Sequence, residues 1–243
     1  MLKCSIVGVG RIAGGFEDTD VPLMHPCTHA GAYDQCPDTT IVSVCDIDLT
    51  KVQSFAKRWK VSSVYTDYKE LLAKEDIDVL SICTDSKTHF EITKFAAENK
   101  KNLKVIWCEK PLAYNLAEAE QMLEACRRSN IALTTNNRRR WDHHYYRAID
   151  LIDNGLIGKP YLIEAVSPSG LLNSGAHLFD ALEHIADAKI YAVAGRAVFD
   201  GSIDPGVCGV AYFENGMIAH IDCAWKEDYV FSIADPAIFS PTG

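Results

Sequence analysis

A few small residues and one acid suggest chemistry first. Gly8 and Gly10, followed by Arg11, Ile12 and Ala13, form a Gly-x-Gly-x-x-Ala motif directly after the apolar run Leu2 to Val7. Glycine at the first position permits a tight turn, glycine at the second lets bare backbone approach a ligand, and amides opening the next helix meet negative charge. A pyrophosphate uses all three features. Two glycines beside a strand often mark only a turn, so the acid that follows matters. Asp46 closes a second apolar run, Thr40 to Cys45. A carboxylate there accepts from two ribose hydroxyls and repels a 2′-phosphate, so the pattern predicts NAD in preference to NADP. The alternative for Asp46 is a cap on the following helix, a role that Asp48 fills equally well.

The spacing departs from the usual fingerprint. Positions 10 and 46 are 36 apart, where about 20 is typical. An insertion explains it. The stretch Glu17 to Pro26 holds three acids and two prolines, which predicts a loop that breaks the first helix until it resumes near Thr28. His25, Cys27 and His29 lie in or beside that loop, yet alternate spacing with no complementary Cys/His pair is not a zinc pattern, and no metal is expected. Nine scattered cysteines without a Cys-x-x-Cys pair are expected to be mostly small core residues.

These residues need elements to hold them. Val52, Phe55, Ala56 and Trp59 recur at helical spacing after Asp46. The alternation continues through Val64-Tyr65, a helix from Tyr68 to Ala73, the strand Ile77 to Cys83, a helix from Phe90 to Glu98, the strand Leu103 to Cys108, a helix from Leu116 to Arg127 and the strand Ile131 to Thr135. Repeated strand-helix units with continuously apolar strands predict an α/β domain, a doubly wound parallel sheet over residues 1–137.

Beyond Asn137 the rhythm changes. Helical patterns at Tyr145 to Ile152 and Ala176 to Ile185 are interleaved with strand-like runs Tyr161 to Val166, Ala188 to Phe199, Cys208 to Phe213 and Met217 to Trp225. Glu214-Asn215-Gly216 is a hairpin signal between the last two. Residues 138–243 are therefore expected to form an α+β domain with a mostly antiparallel open sheet.

Composition narrows the partners. The 243 residues carry 24 basic and 33 acidic side chains, a net charge of −9. Such a field repels phosphate backbones and anionic lipid, so neither nucleic acid nor a membrane is an expected partner. No apolar run reaches the roughly 18 residues of a membrane span, and no leader pattern precedes Leu2. A cytoplasmic protein is expected.

Three further motifs follow the glycine turn: Cys108-Glu109-Lys110-Pro111-Leu112-Ala113, Asn137-Arg138-Arg139-Arg140-Trp141-Asp142, and Asn173-x-x-x-His177-x-x-Asp180. In this order and spacing the chain resembles the glucose-fructose oxidoreductase/inositol dehydrogenase (Gfo/Idh/MocA) family, from Leu2 to about Trp225. The Glu-Lys-Pro motif at the end of the fifth strand is the most specific element. The resemblance implies a Rossmann nucleotide domain and hydride transfer between NAD and a secondary alcohol of a sugar, nucleotide sugar or cyclitol.

It also implies roles. Lys110 reaches the reacting hydroxyl and His177 acts as acid and base on the same oxygen, which suits the chemistry, because hydride leaves a carbinol carbon as its hydroxyl proton is removed. The implied cofactor set is Gly8, Gly10, Arg11, Ile12, Ala13, Asp46, Thr84, His89, Glu109 and Lys110. Asn173 stands where many members have Asp, one helical turn before the histidine; an amide holds a hydroxyl but cannot take its proton. That feature resembles the subgroup oxidising C3 of UDP-N-acetylglucosamine-type uronic acids. Asp180 is expected to orient a ring or cap structure. Asp85 replaces a proline of the family pattern beside Thr84. Arg139 and Arg140 are open between clamping a phosphate or carboxylate and forming a salt-bridged face.

Family chains continue past the point where this one stops, so a short or truncated second sheet is expected, with its open face pairing with another copy as a homo-oligomer. Two other functions stay open on sequence: a non-catalytic NAD-binding sensor, and glycoside hydrolysis assisted by tightly held NAD.

Overall fold

The structure, a computed structural model, describes residues 1–18, 26–167, 170–198, 204–223 and 237–239. His25, most of the inserted loop, and the expected strand ends Phe199 and Trp225 lie outside the described residues. The chain divides into two compact units, Met1–Asn136 and Asn137–Gly243.

In the first unit, strands β1 (Leu2–Val7), β2 (Thr39–Cys45), β3 (Ser63–Tyr65), β4 (Val79–Ile82), β5 (Val105–Cys108) and β6 (Ala132–Thr135) form one sheet in the order β3-β2-β1-β4-β5-β6. Every pairing is parallel. Helices α1 (His29–Gln35), α2 (Leu49–Trp59), α3 (Tyr68–Lys74), α4 (His89–Asn99) and α5 (Leu116–Arg128) connect them. Two separate apolar clusters contain residues of β1 and β4: one holds Val52, Phe55 and Ala56 of α2, the other Ile92 of α4 and Met122 of α5. A sheet covered on both faces buries its strands completely, which explains Ile6, Leu80, Ile82 and Ile106 at 0% exposure.

Helix boundaries follow local chemistry. The Asp48 carboxylate accepts from the amides of Thr50 and Lys51 and starts α2; Asp67 and Asn115 do the same for α3 and α5. Each such cap contributes about 1 kcal/mol. The first helix is split as the spacing predicted. Before the insertion only a turn forms, closed by Gly14 N–H on the Gly10 carbonyl, and a short 3₁₀ segment follows at Gly15–Asp18. After it, the His29 and Ala30 amides donate to the carbonyls of Ile12 and Ala13, so α1 is spliced onto that turn. The Glu17 carboxylate accepts from the Cys27 and Thr28 amides and the Thr28 hydroxyl, fastening the two ends of the insertion together.

The second unit carries α6 (His143–Asp153), β7 (Leu162–Val166), α7 (Ala176–Ala186), β8 (Ile190–Val198), β9 (Gly206–Phe213), β10 (Ile218–Asp222) and β11 (Ala237–Phe239). Its sheet runs β11-β7-β10-β9-β8. The pair β7 and β10 is parallel and the other pairs are antiparallel. The Asn215-Gly216 turn joins β9 to β10, with Gly216 at φ +88°. Leu178, Leu182 and Ile185 of α7 pack against Ile163, Ala211, Phe213 and Ala219 of the sheet. No helix among the described residues is long and apolar enough to cross a membrane.

Candidate functional site

Parallel strands all end on one side, so the sequence motifs that close β1, β2, β4 and β5 meet at a single edge of the first sheet. Gly8 follows β1 at the switch point, where the chain order departs in both directions towards β2 and β4. It adopts φ +87°, and a Cβ there would lie 2.7 Å from the backbone of Cys83 and Thr84. Only glycine fits. Gly10 differs: a Cβ would meet nothing within 4 Å, so open space lies beside an exposed backbone. That is the cradle a diphosphate needs.

Of the two roles open to Asp46, the geometry removes the helix cap. Its Oδ2 accepts from Val9 N–H at 2.9 Å and its Oδ1 from Asp48 N–H at 3.0 Å, while Asp48 alone caps α2. The acid therefore belongs to the glycine turn. Each oxygen retains a lone pair for hydroxyl donors, and exposed Ile47 offers apolar surface beside it. The residues present fit a dinucleotide. Arg11 is exposed with its guanidinium 4.5 Å over the Phe16 ring, Ile12 is half-buried and Ala13 buried. The helix-start amides expected there are those of a single turn, because the insertion delays α1 to His29.

The Glu-Lys-Pro segment leaves β5 with a cis peptide between Lys110 and Pro111. Glu109 was expected at the cofactor; its carboxylate is instead turned into the protein. Oε1 meets His29 Nε2 at 3.1 Å and accepts from Asn136 Nδ2, and Oε2 accepts from the Lys110 amide at 3.3 Å. Burial pushes the Glu109 carboxyl up, but the bonds from His29 and Asn136 outweigh it and hold the group below the ordinary glutamate range. His29 Nδ1 in turn meets Ser81 Oγ at 2.8 Å, Ser81 meets the Tyr33 hydroxyl at 2.6 Å, and Trp107 lies 3.9 Å from the imidazole, centre to centre.

His89 was also expected at the cofactor. It is buried, with Nδ1 2.9 Å from the Pro111 carbonyl and Nε2 3.2 Å from the Thr84 carbonyl. Both ring nitrogens face backbone carbonyls, one on each of two loops. Thr84 remains half-buried at the strand end, its hydroxyl accepting from Thr88.

In the second unit, Asn173 lies in a wide π-type turn, Leu171–Gly175, that runs straight into α7. The backbone of Asn173 donates to Asp204 Oδ2 at 2.9 Å, and Leu172 donates to Oδ1. Asp204 thus secures this turn; lying 31 positions away with no motif around it, it gave no sequence signal. The same-face spacing of residues 173 and 177 expected from a uniform helix is loosened by the wider turn. His177 is half-buried one residue into α7. Asp180 holds the Arg140 Nε with both oxygens, at 2.8 and 2.9 Å, and accepts from Asn137 Nδ2 at 2.9 Å. Arg140 is therefore a structural pair. Arg139 differs, since its Nη1 is buried without a hydrogen-bond partner among the described residues. His143 and His144 lie beside Asp142 with ligand atoms within 4.8 Å of one another, an exposed cluster that sequence reading passed over.

The family model described as "Oxidoreductase family, NAD-binding Rossmann fold" (Gfo/Idh/MocA) matches residues 2–137. The uncharacterized oxidoreductase YrbE of Bacillus subtilis is 30% identical over 239 residues, covering 89% of this chain and 65% of its own length. A myo-inositol 2-dehydrogenase of Thermotoga maritima is 25% identical over 94% of this chain and 70% of its own. Among solved structures, the scyllo-inositol dehydrogenase of Lactobacillus casei with bound NAD(H) and scyllo-inositol superposes with a TM-score of 0.80 at 18% identity, covering 100% of this chain and 74% of that one. The chain thus spans 65% of the length of the first of these relatives and 70% of the second.

Proposed function

The chain belongs to the Gfo/Idh/MocA oxidoreductase family with an NAD-binding Rossmann fold, and from that premise we propose that it is a dehydrogenase moving hydride between NAD and a secondary alcohol of a sugar, nucleotide sugar or cyclitol. The observation that carries this reading is the meeting of Gly8, Gly10, Asp46 and the Lys110 segment at one edge of the first sheet. Asp46, tied to the glycine turn, favours NAD over NADP, because a 2′-phosphate brings its charge against a carboxylate. Relatives named for myo-inositol and D-glucosides favour a polyol substrate.

Nicotinamide, when bound, supplies the hydride acceptor or donor. Lys110 stabilises negative charge as it develops on the carbinol oxygen, and His177 takes the proton from that oxygen or returns it. Asn173 holds a substrate hydroxyl without taking its proton. Arg139, with buried donor capacity unmatched, is the better of the two arginines for a substrate phosphate or carboxylate. Tyr191, Val193 and Tyr212 are exposed on the second sheet and favour pairing with a second copy, which light scattering reads directly.

The test is incubation with NAD, and in parallel NADP, against myo-inositol, scyllo-inositol, methyl glucosides and UDP-sugars, followed by NADH absorbance. Reduction with a polyol or sugar is expected, lost in Lys110→Ala while NADH binding persists. No reduction with any member of the panel, or full turnover in Lys110→Ala, overturns the reading.

A further inference from the structure

Lys110 is flanked by two residues, and each is held by a different buried histidine. Glu109, before it, is bound through its side chain to His29 of α1; Pro111, after it, is bound through its carbonyl to His89 of α4. Both histidines are 1% exposed. They reach the segment from separate elements, so removing one leaves the other in place. We propose that His29 and His89 are positioning residues that bracket Lys110 and fix where its ammonium is presented. The proposal rests on the reading that Lys110 acts on the reacting hydroxyl.

Hydrogen inventory makes the arrangement specific. An ionised carboxylate and a backbone carbonyl only accept. His29 must therefore carry hydrogen on Nε2 to serve Glu109, whatever the state of Nδ1. Ser81, which both gives and takes, suits Nδ1 in either state, and the Tyr33 hydroxyl completes the chain. His89 faces two carbonyls, of Thr84 and Pro111, and a hydrogen on Nδ1 is what serves Pro111. Glu109 closes the circuit, since its second oxygen accepts from the backbone N–H of Lys110 itself. A shift of about 1 Å in a reacting group costs up to a hundredfold in rate, which is the reason to hold this segment from both sides.

The experiment uses the full chain and two independent readouts. Lysines are reductively methylated with ¹³C-formaldehyde, and the Lys110 signal is assigned by its loss in Lys110→Ala. In His29→Asn and His89→Leu the Lys110 signal should move towards that of the surface lysines while the other lysine signals stay. His29→Gln, whose amide reaches as far as Nε2 and still donates to Glu109, should restore it. Turnover with NAD and the responsive polyol should fall about ten- to a hundredfold in the two disruptive variants, with NADH affinity unchanged and His29→Gln recovering most of the rate. Should His29→Asn fail to fold, Ser81→Ala and Asn136→Ala perturb the same side of the bracket more mildly, and His89→Gln, whose amide does not match the Nδ1 contact to Pro111, stands in for His89→Leu. An unmoved Lys110 signal in folded variants, or no advantage of Gln over Asn at position 29, overturns the proposal. Loss of turnover in Lys110→Ala beside an intact rate in His29→Asn rejects the bracket alone; full turnover in Lys110→Ala rejects the function beneath it.

Discussion

The Asp46 carboxylate accepts a 2.9 Å hydrogen bond from the N–H of Val9, the residue between the two glycines of the β1 turn. A side chain at the end of one strand therefore sets the loop that follows its neighbour, and on the proposed reading the same acid also selects the cofactor. Replacing Asp46 with Ala should raise the ratio of kcat/KM for NADP over NAD by about tenfold or more, since a charge repulsion and two hydroxyl acceptors go together. Asp46→Asn, which still accepts from Val9, should relax the preference while keeping more of the NAD affinity. Parallel kinetics with both cofactors read this, and an unaltered preference in both variants removes the ribose assignment.

The two glycines should separate experimentally. Gly8→Ala places a Cβ against the backbone of Cys83 and Thr84 at positive φ, so it should lower stability by about 2–3 kcal/mol. Gly10→Ala meets no neighbour and should leave the urea midpoint unchanged while weakening NADH binding. Denaturation curves and fluorescence titration on both variants give the comparison; equal destabilisation by the two would contradict it.

The network around Glu109 should make the fold acid-sensitive. The Glu109 carboxyl is held below its ordinary value by His29 and Asn136 despite burial. The stabilisation is then fully present above the unfolded value, about 4.3, and is lost as pH falls through the lower folded value. Stability measured between pH 7 and pH 3 should decline on this limb, and Glu109→Gln should make the decline shallower at the cost of stability near pH 7. An acid limb unchanged by the substitution would show that other carboxylates govern it.

Arg140 and Asp180 form a partly buried pair with Asn137 in the second unit. Arg140→Ala should destabilise the protein by about 1–3 kcal/mol, because it leaves the Asp180 carboxylate short of its main donor. Arg139→Ala should instead raise KM for an anionic substrate with little change in melting temperature. Thermal melts and kinetics with a UDP-sugar distinguish the two; a reversal of these effects would exchange their assignments.

Much of the molecule was legible in the chain. Continuous apolar runs such as Leu2 to Val7 specify strands buried on both faces, Val52, Phe55 and Ala56 specify the buried side of α2, and Asn215-Gly216 specifies the hairpin, because each signal is local and its physical cause lies within a few residues. The glycine turn and Asp46 were legible for the same reason, and even the insertion announced itself through prolines and acids. What only the tertiary structure decided was the duty of polar residues far apart in sequence. His29 stood in the sequence as a discarded metal candidate, and His89 and Glu109 as cofactor contacts; folding brings α1, α4, β4 and β5 together and turns all three inward. Asp204 and the Asp180–Arg140 pair are of the same kind. Periodicity reports which side of an element is apolar, but a hydrogen bond between residues 29 and 109 depends on where two elements end in space, and no local pattern encodes that.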